Sequence, residues 1–419
     1  MVSRRGLLGG AAGLAGGAAL AGTATAQNSP ATSTTGLKSL TASAKPITRA
    51  ERLARLDKAR RLMGEQGIGA LIVEPGAALD YFTGVQWWRS ERVTCAVIPA
   101  RGETVIVTPA FEEPSVRESL GVPAEVRVWQ EDESPYRRVA QALADRGAAS
   151  GKVAVEATVR FFVVDGVRRE APGAQIVSGD PVTRPCRMIK SPAELALMQV
   201  ANDVTLAAIR HLHATVRAGM TAPEIDAMLT QATRALGGET DGGLVLLNEA
   251  SAYPHGSKQP QAVREGSVIL IDTGCSVHGY QSDISRTWVY GQPSKRQREV
   301  WDTVKRGQEI VLETARPGAR AGDVDRAVRA FYEREGWGPG YRLPGTPHRA
   351  GHGIGMEGHE PAYFVGNDDT RLQPGMCFSD EPGLYIPGQF GVRMEDCLHI
   401  TEAGPKLFTG LAPSIDDPI

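Results

Sequence analysis

The sequence has few cysteines and no close pair of them. Its 419 residues include five, at Cys95, Cys186, Cys275, Cys377 and Cys397. The number is odd and the spacing is scattered, which argues against a disulfide framework. Because no CxxC pair occurs, carboxylates and imidazoles are better candidates than thiolates for metal ligands. We expect the five thiols to be small, buried side chains.

The sequence also lacks a strong excess of charge of either sign. Lys and Arg number 46 against 48 Asp and Glu, which gives a formal net charge of −2, and no run of like charge stands out. This balance provides no general attraction to nucleic acid or to an anionic membrane surface, so we expect neither as a partner. A chain of this length, with 42% hydrophobic residues, is expected to form two domains with sizeable cores.

The first 45 residues are expected to lie outside the fold. Arg4-Arg5 begins a twin-arginine export signal, and the Gly/Ala/Leu run that follows is a poor membrane span. Ala24-Thr25-Ala26 matches a cleavage site. The prediction is a signal peptide at residues 1–26 and a disordered Ser/Thr-rich leader at residues 27–45. The mature protein would be periplasmic or secreted and free of the membrane; an uncleaved anchor is the alternative.

An α/β domain is predicted at residues 46–186 because helix and strand patterns alternate there. Its first helix should run from Arg49 to Gln66, where apolar residues have helical spacing, and should end at Gly67. A strand pattern follows this helix directly.

A second domain is predicted at residues 187–411, with a tail at residues 412–419. Its start is marked by Ser191-Pro192-Ala193-Glu194, which combines an N-cap serine, a proline at the first helical position and a glutamate that closes a capping box.

The stretch Ser267–Thr287 concentrates candidates for chemistry. An apolar strand pattern ends in Asp272, and a turn-prone segment leads back to Asp283. A hairpin that turns near Val277 and His278 would place both carboxylates on one face, opposite or nearly opposite each other. Like charges across a ladder are destabilising, so a bound cation would explain the pair. Two turn aspartates that face water are the alternative.

Later segments supply further ligand candidates. His352 lies between glycines, where backbone can approach closely. Two strand-like runs contain acidic pairs, and from the residues alone Asp380 competes with Glu381, and Asp396 with Glu395. Two Asp, one His and two Glu are enough hard or borderline ligands for two divalent ions.

Five blocks of sequence resemble the pita-bread metallopeptidases, which include Xaa-Pro dipeptidase (prolidase), aminopeptidase P and methionine aminopeptidase. In chain order they are Asn248…Tyr253-Pro254-His255-Gly256, IDTG…GYQSDISRT, GHGIGMEGHEPAY, LQPGMCFSDEPGLY and GVRMED. Five ordered blocks are more specific than one motif. The resemblance implies an α/β (α+β) fold. A creatinase-like N-terminal α/β domain would precede a pita-bread domain, whose curved antiparallel sheet has pseudo-two-fold symmetry and is covered by helices.

The resemblance also implies a metal site with assigned roles. The implied metal ligands are Asp272, Asp283, His352, Glu381 and Glu395. The implied catalytic residues are His255, His359, Glu381, Arg393 and Tyr385. Two divalent ions, manganese with zinc or cobalt as alternatives, would hold a bridging hydroxide that attacks an Xaa-Pro bond, and Glu381 would take the proton. For Arg393, neutralisation of the acid cluster is the alternative role.

The implied substrate is a small peptide. His255 and His359 would contact it, and Arg371, the sole Arg or Lys between Glu360 and Gly375, is the candidate for the carboxylate of a dipeptide. The resemblance further implies a homodimer. Two other hypotheses are a different C–N hydrolase on this fold, creatinase-like or acting on ectoine derivatives, and a non-catalytic binding protein. The complete ligand set favours the metal enzyme.

Overall fold

The computed structural model describes residues 34–419. The predicted signal peptide and residues 27–33 of the predicted leader lie outside the described residues. The helices are α1 Arg49–Gln66, α2 Ala77–Thr83, α3 Glu113–Ser119, α4 Pro135–Asp145, α5 Phe161–Glu170, α6 Asp180–Met188, α7 Pro192–Thr215, α8 Ala222–Ala235, α9 Lys295–Thr314 and α10 Ala321–Arg334. Short 3-10 helices occur at Ala110–Glu112 and Asn248–Ala252. Among residues 34–419, none of these helices combines the length and hydrophobicity needed to span a membrane.

The strands fall into an N-terminal and a C-terminal group. The first group is β1 Ile68–Val73, β2 Cys95–Pro99, β3 Val105–Pro109, β4 Glu125–Trp129, β5 Gly151–Val155 and β6 Ala174–Ser178. The second begins with β7 Gly243–Leu247, β8 Val268–Thr273, β9 Ser276–Val277, β10 Tyr280–Gln281 and β11 Ile284–Val289. It continues with β12 Gly351–Gly353, β13 Glu360–Phe364, β14 Cys377–Asp380, β15 Gly383–Ile386, β16 Phe390–Arg393, β17 Asp396–Thr401 and β18 Gly404–Leu407.

The N-terminal strands form one mixed sheet in the order β4-β3-β2-β1-β5-β6. Strand β1 is antiparallel to β2 and parallel to β5. Its residues alternate between two hydrophobic cores: Leu71 and Val73 contribute to one, and Ala70 and Ile72 to the other. Both faces are therefore covered, as the α/β prediction requires.

The C-terminal part runs twice through a pair of helices followed by antiparallel strands. Helices α7 and α8 precede a three-stranded sheet in the order β11-β8-β7, and α9 and α10 precede a five-stranded sheet in the order β13-β12-β14-β17-β18. A bridge between Ser285 and Glu395 joins the two sheets, and each helix pair buries its own hydrophobic cluster. This repeat confirms the predicted fold class.

The predicted disordered leader is wrong from Thr34 onward. Leu37 and Ala44 pack against the core beneath α7 and α8, and the backbone N–H of Leu40 donates to the carbonyl oxygen of Leu236 at 2.9 Å. The Ser/Thr-rich composition suggested disorder, but the few apolar side chains find an apolar surface that the sequence does not reveal locally.

The predicted domain limits pass through packed structure. The boundary after Cys186 falls inside α6. In the predicted tail, Ala412 and Ile415 are buried in the core of α9 and α10, and Asp416 forms an ion pair with Arg298. All five cysteines are buried and unpaired.

One buried cluster connects the two domains near the hairpin between β8 and β11. Arg55 of α1 donates to the hydroxyl of Tyr280 at 2.8 Å and forms an ion pair with Glu194 of α7 at 3.2 Å. The Tyr280 hydroxyl donates in turn to Glu194 at 2.8 Å. Because Tyr280 belongs to the hairpin, this cluster fixes the hairpin against the N-terminal domain.

Candidate active site

The hairpin brings the first two acids together. Asp272 of β8 pairs in register with Ser285 of β11, and Asp283 stands two residues before Ser285, so both carboxylates lie on one face. The chain turns through His278 and Gly279, whose φ angles are 49° and 83°, as a two-residue hairpin turn requires. The predicted turn and shared face are confirmed; the acids are offset by two residues rather than directly opposite.

The later strands bring three more ligand candidates to these acids. His352 lies in β12, Glu381 directly follows β14, and Glu395 directly precedes β17. The Nε2 atom of His352 is 3.4 Å from Glu381 Oε1 and 3.8 Å from both Asp283 Oδ2 and Glu395 Oε1. One ligand atom each from Asp283, His352 and Glu395 lies within 4.8 Å of the other two. All five predicted ligands, Asp272 among them, therefore line one cavity.

The donor atoms fit a bound cation. His352 Nδ1 is 3.1 Å from the carbonyl oxygen of Gly353, which accepts its proton and leaves the Nε2 lone pair facing the acids. Burial lowers the pKa of His352 to about 3, so the ring is neutral. Glu395 Oε1 is buried, and no described residue donates a hydrogen bond to it. An unpartnered carboxylate oxygen beside an imidazole lone pair fits a divalent ion with oxygen and nitrogen ligands.

The raised pKa values of the acids also fit a bound cation. Burial raises the pKa of Asp283, and the neighbouring charges of Asp272 and Glu381 raise it further. Burial likewise raises the pKa of Glu395, assisted by Asp283. For Glu381, burial is again the largest cause, and its pKa reaches about 7. Four carboxylates this close cannot all be charged unless positive charge lies among them.

Arg393 supplies one positive charge, and each of its three nitrogens donates to a protein acceptor. Nε donates to Ser285 Oγ at 3.1 Å, and Nη1 donates to the carbonyl oxygen of Pro254 at 3.1 Å and to the Tyr385 hydroxyl at 2.9 Å. Nη2 forms an ion pair with Asp272. Burial raises the pKa of Tyr385 to about 12, although the Arg393 charge opposes this rise. The guanidinium thus holds Asp272 and Tyr385 in place beside the other acids.

His348 extends this network and was missed in the sequence. Its Nε2 lies 2.8 Å from the Tyr385 hydroxyl and its Nδ1 lies 2.8 Å from the carbonyl oxygen of Arg349. Because Arg393 donates to Tyr385, the tyrosine proton points to Nε2, and Nδ1 carries the ring proton. Burial lowers the pKa of His348 to about 3. The available signal was its position four residues before His352, which places both on one side of an extended chain.

The remaining predicted residues divide into two groups. His255 and His359 line the same cavity of about 230 Å³ as the ligands, and the His359 ring stands 4.1 Å from that of His352 between centroids. Arg371 is not brought there. It is exposed, and its Nη1 donates to the carbonyl oxygen of Gly318 at 2.8 Å. The position of Arg371 therefore gives no support to its predicted contact with substrate.

The competing acids Asp380 and Asp396 face away from the cavity. They pair with each other across β14 and β17, and Asp396 forms a fully buried ion pair with Arg286 at 2.6 Å. Strand alternation separates them from their neighbours Glu381 and Glu395, which line the cavity. The structure therefore brings Glu381 and Glu395 to the cavity, rather than their competitors Asp380 and Asp396.

A neutral imidazole and a set of buried acids around one cavity, in a two-domain α/β fold, define a metal-dependent hydrolase. The chain belongs to metallopeptidase family M24: the model of that family matches residues 196–402, and the model of the Creatinase/Prolidase N-terminal domain matches residues 55–189. The family resemblance seen in the sequence is confirmed.

Relatives match along most of the chain. The probable dipeptidase PepE of Mycobacterium bovis is 31% identical, over 84% of this chain and 92% of its own length. The Xaa-Pro dipeptidase of Lactobacillus helveticus is 30% identical, over 84% of this chain and 96% of its own length. Among solved structures, dipeptidase PepE of Mycobacterium ulcerans superposes with a TM-score of 0.79 at 30% identity, over 87% of this chain and 97% of that chain.

Proposed function

We propose that the protein hydrolyses Xaa-Pro peptide bonds in small peptides, as a dipeptidase or an aminopeptidase of the P type. The observation that carries this proposal is the approach of His352 Nε2 to three carboxylates at 3.4 to 3.8 Å. The names of relatives such as the Xaa-Pro dipeptidase of Lactobacillus helveticus support the substrate class. No observation favours a creatinase-like or ectoine-derivative hydrolase, or a non-catalytic role.

Asp272, Asp283, His352, Glu381 and Glu395 would hold two divalent ions, manganese with zinc or cobalt as alternatives. The ions, when bound, supply Lewis acidity that lowers the pKa of water toward neutrality. Hard carboxylate oxygens with one imidazole suit these metals better than soft ones.

The side chains around the ligands would handle protons and charge. Glu381 lines the cavity beside His352 and is the group that takes the proton of the attacking water and passes it to the leaving nitrogen. His359, exposed at the cavity wall beside His352, would donate a hydrogen bond to the carbonyl oxygen as negative charge develops there. Arg393 and Tyr385 would keep Asp272 and His348 oriented during this step.

Proline selectivity follows from what the substrate lacks. A bond to proline is a tertiary amide without an N–H, so a site that requires no donor from that nitrogen accepts it. His255 and His359 stand at the cavity wall and would contact the substrate on either side of the scissile bond.

Assembly and location are further parts of the proposal. A homodimer is supported by Trp88, which is 65% exposed and stacked on Trp87, because exposed aromatic pairs are common at interfaces. Export is supported by Arg4-Arg5 and by Ala24-Thr25-Ala26, outside the described residues.

Metal removal and a peptide panel test the proposal. After exhaustive chelation, cleavage of Ala-Pro and Ala-Pro-Ala should be lost and should return with manganese, whereas Ala-Ala should be cleaved poorly throughout. Asp283→Ala should lose both metal and turnover, because the buried acids are left without their shared cation. Asp302→Ala, which removes an exposed acid of α9, is the matched control. Full activity after chelation, or equal cleavage of Ala-Ala, would contradict the proposal.

A further inference from the structure

The two aspartates that pair across β14 and β17 have very different surroundings. The Asp396 carboxylate accepts hydrogen bonds from both Nη atoms of Arg286, at 2.6 and 3.2 Å. It also accepts from Gln308 Nε2 at 3.2 Å and from the Thr409 hydroxyl at 2.7 Å. Asp380 is just as fully buried, yet within the described part of the chain neither of its carboxylate oxygens accepts a hydrogen bond. Because a buried carboxylate without donors is unfavourable, Asp380 requires a partner of another kind.

A glutamine beside Asp380 has an unpartnered oxygen as well. Gln308 of α9 is fully buried, and its Nε2 donates at 3.2 Å both to the carbonyl oxygen of Asp380 and to the carboxylate of Asp396. This fixes the orientation of its amide group next to the two aspartates. No described residue donates a hydrogen bond to the other end of the amide, Gln308 Oε1.

A tyrosine hydroxyl completes the group. Tyr332 of α10 is buried, and its hydroxyl has no hydrogen-bond partner among the residues that the structure describes. A Cβ atom built on Gly307 would lie 2.2 Å from this hydroxyl and 3.3 Å from Pro382 Cβ. The hydroxyl therefore lies next to the residue before Gln308 and near the second residue after Asp380. Burial raises the pKa of Tyr332, and the negative charge of Asp380 raises it further, as expected for neighbouring side chains.

The atoms of this group indicate the kind of ligand that suits them. Two carboxylate oxygens, one amide oxygen and one hydroxyl oxygen offer lone pairs, and only the hydroxyl has a hydrogen to donate. A water molecule could donate to two of these oxygens, but it would leave the buried charge of Asp380 uncompensated. A cation satisfies the oxygens and the charge together, and ligand sets made only of oxygen suit hard cations. One carboxylate with two neutral oxygens balances a single positive charge.

We propose that Asp380, Gln308 and Tyr332 bind a monovalent alkali cation, sodium or potassium. This site is separate from the cavity of the ligand candidates, because Asp380 faces away from that cavity while its neighbour Glu381 lines it. The ion would join the end of β14 to α9 and α10, since each of the three elements supplies one ligand. The inference does not depend on the proposed peptidase activity, because it concerns the stability of the fold.

Thermal unfolding of the protein, with manganese present throughout, tests for this ion. At equal pH and ionic strength, potassium chloride or sodium chloride should raise the Tm above its value in choline chloride by about 2 to 5 °C, and the rise should saturate. Asp380→Asn should remove the response, because it removes the charged ligand. Tyr332→Phe, which keeps the buried ring, should need about 10-fold more salt for half of the response, the scale of one neutral group bound to a charge.

Two control variants separate this site from the rest of the protein. Asp302→Asn changes an exposed acid of α9, and Asp283→Ala changes the cavity of the ligand candidates. Both should respond to sodium or potassium as the wild type does.

Several outcomes would overturn the inference. One is a wild type with the same Tm in all three salts, which would mean that a water molecule or a proton accompanies Asp380. Another is a response that survives in Asp380→Asn or vanishes in Asp283→Ala, because the ion would then lie elsewhere. If Asp380→Asn does not fold, an unchanged salt requirement in Tyr332→Phe overturns the site by itself. A protein that responds to the salts but cleaves no Xaa-Pro substrate would contradict the proposed function and support this inference.

Discussion

Two histidines whose rings nearly touch have different surroundings. His352 is 1% exposed and its Nε2 faces three carboxylates. His359 is exposed, and it lines both the cavity of the ligand candidates and a second cavity beside it, which Arg187 and Glu360 also line. The first arrangement suits a ligand, and the second suits a group that meets substrate.

Alanine variants of the two histidines should therefore behave differently. His352→Ala should lower metal content and activity together, because it would remove a proposed ligand. His359→Ala should keep its metal and lose about 10²- to 10³-fold in kcat, the scale for one donor to a developing oxyanion. Metal analysis and steady-state kinetics on both variants measure these differences in metal content and kcat.

Two results would refute this division of roles. One is equal metal loss in both variants. The other is a His359→Ala protein with normal turnover per folded molecule and reduced stability, which would mean that His359 only packs the turn before β13.

At the scale of elements, the segment between β12 and β13 is held by one buried acid. Glu360 is 2% exposed, and it accepts from Arg187 at 2.6 Å, from Lys190 at 3.1 Å and from the backbone N–H of Met356 at 3.0 Å. Burial alone would raise the pKa of Glu360, but the charges of Lys190 and Arg187 outweigh it and lower the pKa to about 2. The junction between the domains thus fixes the loop that ends in His359.

Glu360→Gln should destabilise the protein in a pH-dependent way. A carboxyl whose folded pKa is depressed stabilises the protein above its unfolded value of about 4.3, and this contribution is lost as pH falls toward 2. Urea unfolding of the metal-free protein should show a deficit of about 3 kcal/mol at pH 7 that shrinks below pH 4. The exposed Glu335→Gln is the matched control. A deficit that stays constant from pH 7 to pH 3 would contradict this account.

Elements with local signals could be predicted from the sequence. The structure places α1 at Arg49–Gln66, ending at Gly67, as predicted, and α7 starts directly after Ser191 with its capping box formed. These limits depend on hydrogen bonds within four residues, which the sequence displays directly.

Features that depend on distant partners could not be predicted. Leu37 and Ala44 are ordered by a surface that the distant helices α7 and α8 provide. The choice of Glu381 over Asp380 depends on strand register, and the residues alone left it open.

At the scale of the whole molecule, a change in the N-terminal sequence tests the proposed export. Replacement of Arg4 and Arg5 together by Lys should leave the precursor in the cytoplasm, because in the proposed export signal the twin arginines would be the address that a receptor reads. Cell fractionation and sequencing of the mature N-terminus measure this. Unchanged secretion of the double variant, or a mature N-terminus far from Gln27, would speak against it.

The cluster of Arg55, Glu194 and Tyr280 decides whether the two halves of the chain can be transplanted separately. Family models match the halves one by one, yet each half supplies charges that the other buries. A catalytic half grafted onto a foreign N-terminal domain would carry Glu194 and Glu360 without their arginines, and uncompensated buried charge costs several kcal/mol. A chimera needs a donor domain that brings an arginine to the positions of Arg55 and Arg187, so the two halves are expected to be exchanged only as a matched pair.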